Sequence, residues 1–440
     1  MTLEVLIYPT AAAEKRIQEI VSRRLSYSET AEREVADILA AVQREGDGAL
    51  VRYTRAYDAP EFTRERIRVS AAEVAKAREA VDSEFIPLLE RARDNITRFH
   101  EAQRRHSWFH PDEDGTFLGQ MVRPVAGAGL YIPGGRRGET PLISSLLMNS
   151  IPAMVAGVPR VQVVTPPCAD GSVNPYLLAA AGLLGITDVF KVGSAWAIAA
   201  LAYGTETIQA VDVIVGPGNI YVTLAKKLVA GQVGIDMIAG PSEILVIADG
   251  SADPRQVAAD LLSQAEHDAM ASAILLTPDL ALARATSLAL AEQVTRLPRR
   301  QIAEEALAGF GAVIVAPDLE TAIDLANRIA PEHLELLVSQ PYEFLGKIQN
   351  AGAVFLGHYS PEAVGDYFAG PNHVLPTAGT ARFSSALSVD HFIKRTSVIA
   401  YSEKALRRDG RDIIRLAELE GLEAHANSVR IRLGRARRES

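Results

Sequence analysis

The sequence predicts an α/β protein built from two lobes, each around a mostly parallel sheet. Three observations point there. Short apolar strands alternate with helix-patterned stretches from Gly119 to 235, and a second series of the same kind spans 242–357. Strands joined through helices rather than tight hairpins run parallel and are covered on both faces. The chain has 440 residues, 48% hydrophobic and 22% charged, enough for two or three domains with sizeable cores.

In chain order, residues 1–107 read as a mostly helical segment, its later part expected to pack on the second lobe. Ser28–Val42 and Leu50–Tyr57 have helical patterns broken by Gly46 and Gly48. A longer helix is expected over Ser83–His106, with Phe85, Leu88, Leu89, Ala92, Ile96 and Phe99 on its apolar face. The first lobe, 108–235, has strand candidates at Val161–Thr165, Asp188–Val192 and Val211–Val215. Helical candidates lie at Pro141–Met154, Tyr176–Leu184, Ala195–Tyr203 and Ile220–Val229.

The second lobe, 236–380, has strand candidates at Ile244–Ala248, Ala273–Thr277, Ala312–Ala316, Leu334–Val338 and Ala353–Leu356. Beyond Ser360 the alternation stops: 361–400 reads as loop-rich, and 403–419 and 421–433 as two helices of a C-terminal arm, 381–440. The two series share a period but no repeated sequence.

A net charge of −9 argues against nucleic acid or an anionic membrane as partner. The lone Cys168 excludes an intrachain disulfide and fits a reducing, cytoplasmic compartment. The N-terminus MTLEVLIYPTAAAEKR lacks a basic stretch before a long apolar core, so no signal peptide is expected. No apolar run is long enough to cross a bilayer.

The stretch from Met237 to Asp268 organises the chemistry. It reads as a Gly-Pro turn, a strand and a helix opened by Asp253 as N-cap and Pro254 at the first helical position. Val257, Ala258, Leu261, Leu262 and Ala265 form its apolar stripe. Gln264 and His267 sit on the shoulder of that stripe, roughly 60° apart around the helix, where both can face one metal ion. A histidine near a helix end also serves as a C-terminal cap, glutamine is an uncommon zinc ligand, and Asp260 competes on the same edge. Ser242 and Glu243 stand where the turn enters the strand, and a Gly-Pro turn lets a ligand approach closely.

Two further turns, GGRRGET (134–140) and GPGN (216–219), follow strands and open helices, where backbone N–H groups favour phosphate. Neither matches the G-x-G-x-x-G fingerprint. Glu332 and His333 stand just before a strand, a carboxylate beside an imidazole, suited to paired proton transfers near neutral pH. Cys168 raises a rival chemistry, a thiolate attacking an aldehyde, but TPPCADGS holds no nearby base or cation to activate it.

GPSEILVIAD with LLSQAEHD, PEHLELL (331–337), GDYFAGPNHVLPT (365–377) and EGLEAHANSVRIR (420–432), in that order, resemble the histidinol dehydrogenase family from about Glu32 to Leu433. The resemblance implies two incomplete Rossmann-like lobes of the aldehyde-dehydrogenase type, with terminal helical segments forming a homodimer. It implies one zinc per subunit, held by Gln264, His267, Asp366 and His425, and NAD held near Tyr131 and Asn219. Glu332 and His333 become the catalytic pair. Ser242, Gln264, His267, Glu332, His333, Asp366, His373, Glu420 and His425 become the substrate contacts, with L-histidinol as the substrate.

The chain departs from the family at GSAWAIAALA, where Trp196 stands in place of a common glutamine, and in RRGETPLISS (136–145). A tryptophan can stack on a nucleotide but does not copy an amide's hydrogen bonds. Oxidation of another small polar alcohol such as a sulfonated diol, or zinc-dependent hydrolysis, are the competing activities. Their signatures differ: turnover of that other alcohol with NAD, or no dependence on nicotinamide at all.

Overall fold

A computed structural model describes residues 2–22, 28–135, 140–238 and 240–435. The strands in chain order are β1 (Val5–Ile7), β2 (Trp108–Pro111), β3 (Phe117–Pro124), β4 (Gly127–Tyr131), β5 (Arg160–Val164), β6 (Asp188–Phe190) and β7 (Val213–Val215). They continue with β8 (Gly234–Ile235), β9 (Glu243–Ala248), β10 (Ser272–Thr277), β11 (Gly311–Val315), β12 (His333–Leu337), β13 (Ala353–Leu356) and β14 (Ile393–Ala400). The helices begin with α1 (Ala11–Val21), α2 (Glu29–Glu45), α3 (Asp47–Tyr57), α4 (Ala71–Ala80), α5 (Phe85–Glu101), α6 (Ile143–Ala156), α7 (Pro175–Leu183), α8 (Ser194–Tyr203) and α9 (Ile220–Val229). Then come α10 (Pro254–Ala265), α11 (Leu280–Gln293), α12 (Arg300–Phe310), α13 (Leu319–Ile329), α14 (Tyr342–Leu345), α15 (Glu362–Tyr367), α16 (Glu403–Leu419) and α17 (Glu423–Arg435).

Two compact units result: Met1–Gln103 with Val125–Phe392, and Arg104–Pro124 with Ile393–Ser440. The larger unit holds both parallel sheets. The first runs β6-β5-β4-β7-β8 and the second β1-β11-β10-β9-β12-β13, all pairs parallel. In the second sheet all residues of β9, β10 and β12 are buried. Continuous apolar character, rather than alternation, is what a strand covered on both faces requires. Each fully buried Val, Leu or Ile side chain stabilises by roughly 1.5–3 kcal/mol, so these strands anchor the lobe.

The cap at the head of α10 forms as expected: Asp253 accepts the Arg255 N–H at 2.8 Å, with Pro254 in the first turn. In the first sheet the strand order reverses at β4 and β7, whose carboxyl ends form the usual ligand crevice of such sheets. Gly216 follows β7 with φ +117°, and a Cβ there would lie 2.2 Å from the Tyr131 carbonyl oxygen, so only glycine fits.

Three expectations need correcting. The N-terminal segment is mostly helical, and the one strand among its described residues before 104, β1, pairs with β11 at the edge of the second sheet. It is this earliest part, with α1 against α13, that joins the second lobe. The later helices α2 and α3 pack on α8, α4 on α7 and α5 on α6, all in the first lobe. α5 also meets the second lobe's loop, through a hydrogen bond from Asn95 Nδ2 to the Phe368 carbonyl (2.9 Å) and close approaches near Gly370 and Asn372.

The stretch 361–400, read as loop-rich, contains α15 and the eight-residue strand β14. The third correction concerns the arm. Residues 381–392 stay with the larger unit, whereas β14 pairs antiparallel with β3, and β3 with β2, in the smaller one. These strands are mostly exposed and mixed in polarity, so they lack the apolar runs that mark the interior sheets. In the same small unit α16 packs on α17, and Gly410 lets the Leu433 and Val429 side chains close on α16.

A buried carboxyl offers a stability test. Asp58 ends α3 with its Oδ2 buried and unpartnered, and burial lifts its pKa to about 6. Such a group holds more protons folded than unfolded, so its cost grows as pH climbs from about 4 through about 6. Asp58→Asn should therefore gain on the order of 1–2 kcal/mol at pH 8, after allowance for partial exposure, with the gain shrinking as pH falls toward 4. Denaturant midpoints at the two pH values check this; an equal gain at both would mean that the ionised carboxyl is not the cause.

Candidate active site

The second lobe places its reactive groups at the amino ends of the strands, opposite to the usual rule for parallel sheets. Glu332 immediately precedes β12 and His333 opens it, beside Glu243 at the head of β9. Both side chains are nearly sealed, at 7% and 4% exposure. Gly352 makes the packing possible, since a Cβ there would sit 2.5 Å from the Glu332 carbonyl oxygen.

The Glu243 backbone grips the pair from both of its polar atoms. Its N–H donates to Glu332 Oε2 at 2.9 Å, and its carbonyl lies 3.0 Å from His333 Nδ1. A carbonyl only accepts, so Nδ1 carries the proton and Nε2 keeps its lone pair. Nε2 is 3.9 Å from Glu362 Oε1. Burial holds the His333 pKa below the ordinary histidine value, against the pull of the Glu362 charge and the Glu243 carbonyl. Burial also drives the Glu332 carboxyl well above the carboxylate range. The Glu243 N–H opposes this, while the charges of Glu243, Glu362 and Asp366 add to it. A neutral imidazole with a free nitrogen beside a carboxyl of raised pKa is an acid–base pair.

Glu362 and Asp366 lie one turn apart on α15, and with His333 they place ligand-capable atoms within 4.8 Å of one another. Asp366 is lifted to about 8, by burial first and by the Glu362 charge second. His267 is exposed, yet near enough for its charge to bear on His333. Gln264 is 1% exposed and its Oε1 has no hydrogen-bond partner. A buried, orphaned carbonyl oxygen is costly unless something fills its demand. Amide and carboxylate oxygens with imidazole nitrogens form a donor set that suits zinc. These residues fit a metal.

His373 sits in a loop tied to the first lobe by the neighbouring Asn372, whose Nδ2 donates to the Met148 carbonyl at 2.6 Å while its Oδ1 accepts from Val374 N–H within the loop. Its own Nε2 is buried without a partner, and burial, more than any neighbour, pushes its pKa down to about 4. A cleft of about 850 Å³ opens onto His333, Asp366 and His373. Ser242 is half-buried just before Glu243, and its carbonyl accepts from Ser272 N–H.

The first lobe presents a second arrangement. Tyr131 ends β4; it is buried, and its hydroxyl accepts from Ser194 N–H at 3.2 Å. Asn219 caps α9 with its Oδ1, leaving its Nδ2 free of that task. The buried pair Lys226–Asp236 pins the loop between them, Lys226 Nζ donating to the Gly216 carbonyl and Gly216 N–H to Asp236. Trp196 is 4% exposed, with Tyr53 and Tyr57 stacked on it, so it presents no open ring face for a nucleotide. What it can offer is Nε1–H, buried and unpartnered. Residues 136–139, part of the departing turn, lie outside the described residues. Cys168 stands in a turn after β5 and does not line the cleft that opens onto His333, so Cys168→Ala should leave turnover within about twofold. A total loss measured in initial rates would reinstate thiolate chemistry.

Glu420 and His425 belong to the smaller unit, Glu420 exposed at the end of α16 and His425 exposed in the first turn of α17. The larger unit thus brings together Glu332, His333, His267, Asp366 and His373. It adds Glu362, which sequence reasoning missed. The available signal was its four-residue spacing from Asp366, which puts both carboxylates on one helical face.

A family model described as histidinol dehydrogenase matches residues 21–433. The histidinol dehydrogenase of Nitratidesulfovibrio vulgaris is 56% identical over 429 residues, covering 98% of this chain and 98% of the relative. That of Oleidesulfovibrio alaskensis is 54% identical over 433 residues, covering 98% and 100%. Among solved structures, histidinol dehydrogenase from Elizabethkingia anophelis matches with a TM-score of 0.92 at 40% identity, covering 99% of each chain.

Proposed function

The chain belongs to the histidinol dehydrogenase family, and from that premise we propose that it oxidises L-histidinol through L-histidinal to L-histidine in two NAD-linked steps at a zinc site. The observation that carries this reading is His333, held by the Glu243 carbonyl with Nε2 free, beside a buried Glu332.

Gln264, His267 and Asp366 would hold the zinc, completed by His425. Zinc supplies a Lewis-acid anchor for the imidazole and amino groups of the substrate. Tyr131, Asn219 and Trp196 Nε1 would hold NAD, which supplies the hydride acceptor. His333 Nε2 takes the proton of the alcohol hydroxyl as the C–H electron pair leaves. Glu332 in its ionised form takes a proton from water as the hydroxyl adds to the aldehyde carbon, and the protonated His333 gives its proton to the former carbonyl oxygen, which completes the hydrate and leaves the imidazole free again. His333 then takes the hydrate's hydroxyl proton in the second oxidation. Ser242, His373 and Glu420 line the substrate's polar groups.

We place the enzyme in the cytoplasm, on its single cysteine, and as a homodimer. Among the described residues no helix is long and apolar enough to cross a membrane. The smaller unit leaves Ile399, Leu416 and Leu419 at 73%, 62% and 65% exposure, an apolar surface that a second copy would cover. His425 would then complete the partner's zinc site. Mixed dimers of His425→Asn and His333→Asn subunits should regain activity, because one site of each carries both lesions and the other neither. No recovery in mixed dimers shown to form would put His425 in its own subunit's site.

The function itself is tested by identifying the product. Purified, zinc-loaded protein given NAD and L-histidinol should yield L-histidine. Turnover of a sulfonated diol alone, or turnover without nicotinamide, would replace this reading. Chelation should abolish the activity and added zinc restore it.

A further inference from the structure

Glu335 lies two residues beyond His333 on β12, on the same face of the sheet, and is fully buried. Nothing in the chemistry above uses it. Its Oε1 accepts the backbone N–H of Glu362, the first residue of α15, at 2.8 Å. Its other oxygen, Oε2, is buried without a donor, and its carboxyl is close enough to that of Asp260 on α10 for the two to interact. Two carboxyls this close attract each other only if one of them carries a proton. Burial keeps that proton on Glu335, whose pKa is pushed up to about 9. Ser263 Oγ adds a parallel tie, donating to Glu362 Oε2 at 2.9 Å.

The spacing gives this arrangement its meaning. Asp260 lies one helical turn before Gln264, and Glu362 one turn before Asp366. Glu335 therefore joins two helices at corresponding places, each a turn short of a residue assigned to the metal. We propose that Glu335 is a positioning residue, its buried carboxyl clamping α10 to the head of α15 and so setting the separation of Gln264 and Asp366. This rests on the reading that those two residues hold zinc. Groups that orient metal ligands from behind typically account for 10–100-fold in metal affinity.

The test is zinc binding by metal-stripped protein, read by competition with a chromophoric chelator, with the unfolding temperature of each metal-free variant as a check on folding. Glu335→Ala should weaken zinc about 10–100-fold. Glu335→Gln should restore it to within about threefold, since its amide oxygen accepts from Glu362 N–H and its NH2 donates to an ionised Asp260. Asp260→Ala cuts only the α10 end of the clamp and should weaken zinc in the same direction, which covers the case of an unfolded Glu335→Ala. Wild-type affinity in folded Glu335→Ala or in Asp260→Ala would overturn the proposal. So would a loss in Glu335→Gln as large as that in the alanine variant. If the folded wild-type protein itself took up no zinc, the metal reading would fall and this inference with it.

Discussion

Replacing His333 with asparagine is expected to lower kcat by about 10²–10⁴-fold for L-histidinol and for L-histidinal alike. The imidazole is held in one tautomer. Its Nδ1–H is spent on the Glu243 carbonyl at 3.0 Å, which fixes the tautomer and leaves Nε2 as the acceptor. Burial holds the ring's pKa below the ordinary histidine value, which favours the neutral form that a base requires. Asparagine can still donate to the Glu243 carbonyl but cannot accept a proton at the Nε2 position. Each oxidation removes a hydroxyl proton, from the alcohol and then from the hydrate, so both should suffer. Substrate binding should change far less than kcat, because the lost interaction belongs to the transition state. Steady-state rates on the two substrates check this, and a variant within threefold of wild type on either would remove His333 from the role of base.

Glu332→Gln is expected to separate the two half-reactions. Only the aldehyde step needs an activated water, so histidinal oxidation should fall about 10²–10³-fold and alcohol oxidation less than about tenfold. The amide oxygen can still accept the Glu243 N–H, now made to Glu332 Oε2 at 2.9 Å, so the local backbone should survive the change. Glutamine also removes a carboxyl that burial and its acidic neighbours hold well above the carboxylate range. Supplying histidinal directly isolates the second half. Equal damage to both steps would show that Glu332 acts by position or charge rather than on water.

The interior of the fold was legible because buried parallel strands must be apolar throughout. Leu334–Val338 and Ala312–Ala316 were each read one residue late at both ends, against His333–Leu337 and Gly311–Val315. Ala353–Leu356, Ile220–Val229 and 403–419 fall on β13, α9 and α16. The antiparallel sheet was missed for the converse reason. Ile393–Ala400 carries Lys394, Arg395 and Thr396 on a mostly exposed strand, so neither an apolar run nor a clean alternation marks it.

The site divides the same way. Spacing along one helix suggested Gln264 with His267, and the structure shows Gln264 with a buried, unsatisfied oxygen. Glu332 with His333 stood out as neighbours. Glu335 and Glu362 did not, because their meaning lies in a 2.8 Å contact across 27 residues of chain. Asp366 and His373 became candidates only through family motifs, since no spacing rule joins loops that meet in three dimensions. Trp196 departs from the family's glutamine at a cofactor position, and the tyrosines of α3 cover the ring with which it could have stacked on a nucleotide.

If Glu332 and His333 serve two oxidations in one site, the number of NADH formed per L-histidinol consumed shows it. With limiting L-histidinol, excess NAD and zinc-loaded protein, two NADH should form per alcohol, with no build-up of free histidinal. One NADH per alcohol with histidinal released, or none at all, would contradict it.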